Sequence, residues 1–304
     1  MTQLLNALPG ALAQGLIWGV MAIGVYITYK VLDIADLTVD GSICTGAAVC
    51  TMLLLGGQSP WLALLCAVLA GVLAGAVTGL LHVGLGIPPI LAGILTQMVL
   101  WSVNLKLLGK ANQALPARTT PVLLSQMDVG GALLMLLGFC VVLVALLVLF
   151  FGTELGCALR ATGCNPVMSR AQGVNTGLMK IIGLALSNGV VALSGALLCQ
   201  YQGYTDVNMG RGAVVIGLAA VVIGQAVLGR RGGRMAVQLG GVILGAVIYY
   251  IVYQVIIFAG FDTDLLKMFS AVVVAVFLGA PHVKAQLKAH SRSKKGDSGH
   301  AENE

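Results

Sequence analysis

Charged residues are scarce in this sequence. Lysine, arginine, aspartate and glutamate make up 9% of its 304 residues, whereas 58% are hydrophobic, and the mean hydropathy is +0.97. Because a soluble domain carries about 25% charged residues, the composition excludes a soluble globular protein. It predicts an all-α polytopic membrane protein.

The sequence also lacks the motifs of nucleotide and metal chemistry. No G-x-x-x-x-G-K-[ST] segment occurs, so this chain has no P-loop of its own to hold ATP phosphates. The four histidines form no H-E-x-x-H motif, and the seven cysteines have no metal-ligand spacing. We therefore expect no catalytic residue, no metal site and no cofactor bound by this chain, which argues against an intramembrane enzyme.

Long apolar runs are what the sequence has in abundance. A helix needs about 20 apolar residues to cross the hydrocarbon core, and the chain offers about nine such runs, with eight or ten spans as alternatives. We expect the first to be a permanent span, since no basic segment of a signal peptide precedes it. The predicted spans are Ala11–Tyr29, Leu37–Leu55, Trp61–Leu81, Pro89–Leu108, Val129–Phe151, Met179–Cys199, Gly212–Leu228, Met235–Phe258 and Leu265–Ala280.

The basic residues predict the orientation of these spans. With nine spans, the loop of residues 152–178, the GRRGGR segment (229–234) and the C-terminal tail all fall on one side, which the positive-inside rule makes cytoplasmic. The N-terminus should then lie outside and the C-terminus inside. The net charge of +6 thus reflects topology, and no nucleic-acid partner is expected. Residues 1–283 form the predicted membrane domain, and residues 284–304 a polar, basic and disordered cytoplasmic tail.

The cytoplasmic loop carries the signals of a short, separately capped helix. Asn165 suits the N-cap, Pro166 the first helical position, and Gly173 the left-handed residue that ends a helix. A helix of about two turns is not stable alone, so its apolar residues Val167, Met168 and Ala171 must meet a partner. That partner is either the cytoplasmic face of the same protein or a separate subunit.

The segment LRATGCNPVMSRAQGVNTGLMKIIGLALSNGVVALSGALL resembles a loop and span of the permeases that serve ABC importers of branched-chain amino acids, ribose and related solutes. The resemblance extends over roughly residues 10 to 282. It implies that the short helix is a coupling helix that docks on an ATPase. The implied ATPase-coupling residues are Arg160, Asn165, Pro166, Val167, Met168, Arg170, Ala171, Gly173 and Asn175.

Two further stretches, GVYITYKVLDIADLTVDGSICTGAAV and GIPPILAGILTQMVLWSVNLKLLGKAN, resemble the tryptophan/tyrosine-type permeases of that family. The resemblance implies an importer of an amino acid, with an aromatic one favoured, in the bacterial inner membrane. It also implies four partners besides the bilayer lipid: a pair of ABC ATPase subunits that use ATP and Mg²⁺, an extracellular solute-binding lipoprotein and a second permease copy. The alternative is a secondary transporter or channel driven by an ion gradient, which would need more buried carboxylates.

Polar residues inside the predicted spans are candidates for the translocation path. The acidic run that opens the second span is either its capped N-terminus or the lining of a path where the span is broken. Lys106 either extends to the interface or meets a substrate carboxylate, and Asn188 either contacts substrate or joins helices. The candidates are Asp36, Thr38, Asp40, Ser42, Asn104, Lys106 and Asn188.

A loosely similar run, YTDVNMGRGAVVIG, precedes the seventh span. When Gly41 is placed over Gly210, both runs lie just ahead of a span rich in glycine and alanine. Five spans separate them, so the two would have opposite orientations. The pattern is typical of an inverted repeat, in which substrate sites lie near the middle of the membrane.

Overall fold

The structure, a computed structural model, describes residues 2–116, 120–228 and 234–258, together with four single helical positions further on, Met268, Val272, Ala275 and Gly279. These residues contain ten α-helices and two strands. The helices are α1 Thr2–Tyr26, α2 Val39–Leu55, α3 Pro60–Val83, α4 Pro89–Leu108, α5 Val129–Gly152, α6 Glu154–Cys164, α7 Pro166–Ala171, α8 Thr176–Gln202, α9 Ala213–Leu228 and α10 Met235–Phe258; the strands are β1 Asn112–Ala114 and β2 Tyr204–Asp206.

The chain forms two units, Met1–Val255 and Ile256–Glu304. The second contains the last residues of α10 and the four single positions. The predicted tail and most of the ninth predicted span, Leu265–Ala280, lie outside the described residues. In the described part, six helices are long and apolar enough to cross a membrane, and α2 and α9 are shorter apolar helices. The prediction of an all-α polytopic membrane protein is thereby confirmed.

Helix α8 lies at the centre of the first unit. It runs antiparallel to α1, because Ser187 donates a hydrogen bond to the carbonyl oxygen of Gly24 (2.8 Å) and Ser194 to that of Ile17 (2.7 Å). Outer helices instead present apolar residues to their surroundings. Leu134 and Leu149 of α5 are 80% and 70% exposed. Exposed leucines of this kind are what lipid-facing helices require, since the bilayer removes the penalty of apolar exposure.

A break in the helical structure precedes the second predicted span, Leu37–Leu55. The last turn of α1 widens into a π-helix at Ile27–Val31, residues 32–38 have no helical structure, and α2 begins only at Val39. Helix α2 runs parallel to α8, since Ser42 donates to Asn188 and Cys50 accepts from Gln200. It therefore starts opposite the middle of α8.

A second short helix begins beside the start of α2 and runs the opposite way. Helix α10 is antiparallel to α1, because the hydroxyl of Tyr26 donates to the side-chain oxygen of Gln238 at one end and Trp18 packs on Tyr250 at the other. Helix α9 is in turn antiparallel to α10: Gly224 packs against Gly241, and Ala220 against Gly245. Helices α2 and α9 thus run in opposite directions, as the inverted-repeat hypothesis requires.

Candidate functional site

A buried hydrogen-bond network occupies the break before α2. One carboxyl oxygen of Asp36 accepts from the backbone N–H of Thr38 (2.8 Å), and the other accepts from the amide nitrogen of Asn188 (2.7 Å). The amide oxygen of Asn188 accepts from the hydroxyl of Ser42 (2.6 Å). The same amide nitrogen also donates to the carbonyl oxygen of Leu184 (2.9 Å). Asn188 is thus fully satisfied in the interior.

A row of three hydroxyls continues from this network into α3 and α4. The hydroxyl of Thr38 lies 2.8 Å from that of Thr78, which donates to Thr96 at 3.0 Å. All three side chains are buried. The row connects the broken segment to two further helices, because non-helical backbone inside a bundle needs protein partners in place of water.

Four predicted path residues, Asp36, Thr38, Ser42 and Asn188, therefore come together, and they are at most 5% exposed. In the described conformation these side chains bond to one another and to α8. Their arrangement holds the break in position.

Asp40, the other predicted acid, connects α2 to α9. Its two carboxyl oxygens accept hydrogen bonds from the backbone N–H groups of Gly212 and Val214, each at 3.0 Å. Asp40 therefore binds the N-terminus of a helix other than its own. Gly210 allows this approach, since a Cβ atom there would overlap the carbonyl oxygen of Asp40.

A cavity of about 520 Å³ opens beside this junction. It lies between the first turns of α2, the middle and end of α4, and the segment that leads into α9. Its volume is within the range of small-molecule sites, about 300–1,000 Å³. The residues that line it are Asp40, Gly41, Cys44, Gln97, Met98, Trp101, Ser102, Asn104, Val207 and Arg211.

Asn104 differs from the other buried polar side chains in the described part of the chain. It is 1% exposed, and neither its amide nitrogen nor its amide oxygen has a hydrogen-bond partner in the described part of the chain. The remaining predicted path residue, Lys106, lies two positions further along α4. Lys106 is exposed and is not among the residues that line the cavity.

The short loop helix has the predicted local structure. The side-chain oxygen of Asn165 accepts from the backbone N–H of Met168 (3.0 Å), Pro166 is the first helical residue, and Gly173 follows with a left-handed φ of 84°. Val167 and Met168 are 79% and 61% exposed. In this chain α7 therefore does not bury these side chains against the rest of the protein.

The other implied coupling residues shape the loop around α7. Arg160 donates to the carbonyl oxygen of Phe151 (3.1 Å), and Arg170 donates to the hydroxyl of Thr176 (3.0 Å). Asn175 caps α8 through the N–H of Leu178. Ala171 lies exposed at the last position of α7. The polar residues thus fix the loop geometry and leave the apolar ones free for a partner.

Three features of the site were absent from the sequence predictions. Helix α6, which follows α5 after a single residue, was treated as loop. Trp101 and Arg211 line the cavity, and neither was proposed for it. The signal for Arg211 was present, because it directly precedes Gly212 in the run compared with the acidic segment of α2. The described residues contain no group of three side chains that could hold a metal ion.

Comparison with known proteins shows a family match over most of the chain. A family model described as "Branched-chain amino acid transport system / permease component" matches residues 8–280. The chain is 37% identical to the tyrosine transport system permease protein of Clostridioides difficile (strain R20291), over 93% of this chain and 94% of that protein.

Two other relatives have lower sequence identity to the chain. An uncharacterized protein of Rickettsia prowazekii (strain Madrid E) is 32% identical over 91% of this chain and 98% of its own length. The autoinducer 2 import system permease protein of Escherichia coli (strain K12 / DH10B) is 29% identical over 67% of this chain and 60% of its own length. No solved structure matches the chain.

Proposed function

Because this chain belongs to the permease family of branched-chain amino acid transport systems, we propose that it is the membrane subunit of an ATP-driven importer of an amino acid. An aromatic amino acid is favoured, and the 37% identical tyrosine permease supports that preference. The chain would work in the bacterial inner membrane with its N-terminus outside. The C-terminus and α7 would then face the cytoplasm.

The observation that carries the proposal is the exposed, capped helix α7. A helix of six residues is too short to be stable by itself, yet its ends are fixed by Asn165 and Gly173 and its apolar residues are exposed. A capped helix that presents apolar side chains to solvent in this way fits a cleft in a partner. The partner proposed here is an ABC ATPase pair, which would bind ATP and Mg²⁺.

The same end of the bundle contacts the break before α2, which gives a route for the motion. Gly163 at the end of α6 packs against the backbone of Val31 and Leu32, where the break begins. When the ATPase subunits close on ATP, a push on α7 would reach this segment through α6. Rigid halves that rock about the break would open the path alternately to each side. The complete path would require a second permease copy, and an external binding protein would deliver the solute.

Co-purification tests this proposal. The chain would be tagged, extracted from its native membrane in mild detergent, and its companions identified by mass spectrometry. The same would be done with the double variant Val167→Ser/Met168→Ser. Burial of each of these side chains stabilises an interface by about 1.5–3 kcal/mol, so the double variant should weaken ATPase binding at least about 100-fold. We expect the ATPase to co-purify with the native chain and not with the double variant.

Gln172→Ser is the matched control, because Gln172 is exposed beside α7 and is not one of its apolar residues. This variant should retain the ATPase. Equal retention by the double variant would contradict the docking role of α7. Absence of any ATPase from the native chain in several mild detergents would favour the transporter driven by an ion gradient.

A further inference from the structure

The unpaired amide of Asn104 is the strongest sign of a ligand outside the coupling loop. A buried donor and acceptor without partners destabilise a folded protein, and buried polar groups are otherwise almost always satisfied. The contrast with Asn188, all of whose partners lie within the protein, is direct. Asn104 lines the same cavity as Asp40, so a bound solute could supply the hydrogen bonds that the amide of Asn104 lacks.

One end of the cavity, next to the start of α9, carries charges of both signs. Asp40 and Arg211 both line it, and they are adjacent in space because the carboxylate of Asp40 accepts from Gly212, the residue after Arg211. Arginine matches the two oxygens of a carboxylate, and a carboxylate accepts from an ammonium group. The charged end therefore suits the zwitterionic head of an amino acid.

Large apolar side chains of α4 line the cavity between its polar groups. Met98 and Trp101 contribute there, and they are 65% and 44% exposed. An indole face favours contact with another aromatic ring, and a thioether adapts to such rings. This wall suits the side chain of an aromatic amino acid.

The register of α2 and α4 places Asn104 away from the charged end. A Cβ atom on Gly41, next to Asp40, would lie 3.3 Å from the Cα atom of Gln97, whereas Ala48 packs in the same cluster as Leu108. The two helices therefore run parallel. Asn104 lies seven residues beyond Gln97, which is about 10 Å along the helix axis. A solute with its head at Asp40 would direct its ring towards Asn104.

We infer that this cavity binds an aromatic amino acid that carries a hydrogen-bonding group on its ring, as tyrosine does, and that Asn104 recognises that group. The inference rests on the proposed function and adds a specificity-determining residue to it. A site built to pair with a hydroxyl rejects the analogue that lacks it, because its own polar group is then left unpaired. Tyrosine should therefore bind more tightly than phenylalanine.

Competition binding to the purified full-length chain in lipid nanodiscs tests this inference. Tritiated tyrosine would be displaced by unlabelled tyrosine or phenylalanine and followed by scintillation proximity. For the native chain we expect phenylalanine to need at least about 10-fold higher concentration, the factor for one unpaired buried group. Asn104→Leu should bring this ratio close to one. Asn104→Ala provides a second, smaller replacement if the leucine variant does not fold.

Arg211→Gln is the matched variant at the other end of the cavity. It should weaken both amino acids to the same extent, because both carry the same carboxylate, and so leave their ratio unchanged. A ratio unaltered by Asn104→Leu in a folded protein would overturn the inference, and so would the absence of displaceable binding of either amino acid. Co-purification of the ATPase is independent of both results, so the proposed function stands or falls separately.

Discussion

Two buried asparagines, Asn104 and Asn188, lead to opposite predictions for the same substitution. Both lie in apolar helices, and they are 1% and 0% exposed. Asn188 bonds to Asp36, Ser42 and the carbonyl of Leu184. Asn104 has no partner in the described residues. Leucine has the same number of side-chain heavy atoms and the same branch point as asparagine but is bulkier. The added bulk is common to both variants, so the difference between Asn188→Leu and Asn104→Leu reports the hydrogen bonding.

The expected size of the effect follows from these bonds. Asn188→Leu leaves a carboxyl oxygen of Asp36 and the hydroxyl of Ser42 without their partner, and an unsatisfied buried group costs about 1–3 kcal/mol. Ser42 can turn towards a backbone carbonyl, so we expect a loss of about 3 kcal/mol in the free energy of unfolding, or about 5–10 °C in Tm. Asn104→Leu removes an amide that has no partner, so the Tm should stay constant or rise.

Thermal unfolding in detergent would measure the difference, with a thiol-reactive fluorescent dye as the reporter. Four of the seven cysteines are buried and become reactive only on unfolding: Cys44, Cys50, Cys140 and Cys199. The two exposed ones, Cys157 and Cys164, give a constant baseline. Equal losses of Tm in both variants would refute the reasoning, because the cost would then arise from packing and not from the hydrogen bonds of Asn188.

Two further predictions concern local geometry. Gly210→Ala should force apart the starts of α2 and α9, because its Cβ would overlap the carbonyl of Asp40, and it should lower stability by about 1–3 kcal/mol; Gly138→Ala, where a Cβ meets nothing within 4 Å, should be neutral in the same thermal assay. Asn165→Ala should remove the cap of α7, a loss of about 1 kcal/mol, and so raise hydrogen exchange of the α7 amides about 5-fold, whereas Asn165→Asp keeps an acceptor and should leave exchange unchanged.

Local chemistry explains which elements could be predicted from the sequence. The bounds of α4 and α10 agree with the predicted spans, and those of α7 follow from its cap and its final glycine. In each case the signal lies within a few residues of the feature: an apolar run, an N-cap side chain, a proline at the first position. Helix α6 was not predicted, because its 11 residues include too few apolar positions for a membrane span.

The cavity could not be predicted, because it depends on contacts between distant parts of the chain. The residues that join Asp40 to the start of α9 are 172 and 174 positions away in sequence. Helix rotation decides the rest: Asn104 turns into the protein, whereas Lys106, two residues later, is exposed. The sequence prediction therefore included both residues as candidates for the path, since it could not tell the buried one from the exposed one.

The opposed short helices determine which end of a solute this site attracts. An α-helix N-terminus carries about +0.5 of an elementary charge, so the starts of α2 and α9 together supply about one positive charge near Asp40. The carboxylate of Asp40 offsets that charge, because it accepts hydrogen bonds from the N–H groups of Gly212 and Val214 at the start of α9. Arg211 is the positively charged side chain among the residues that line this cavity. An incoming carboxylate should consequently be drawn to Arg211 first, and any movement of α9 against α2 would change the balance that holds it there.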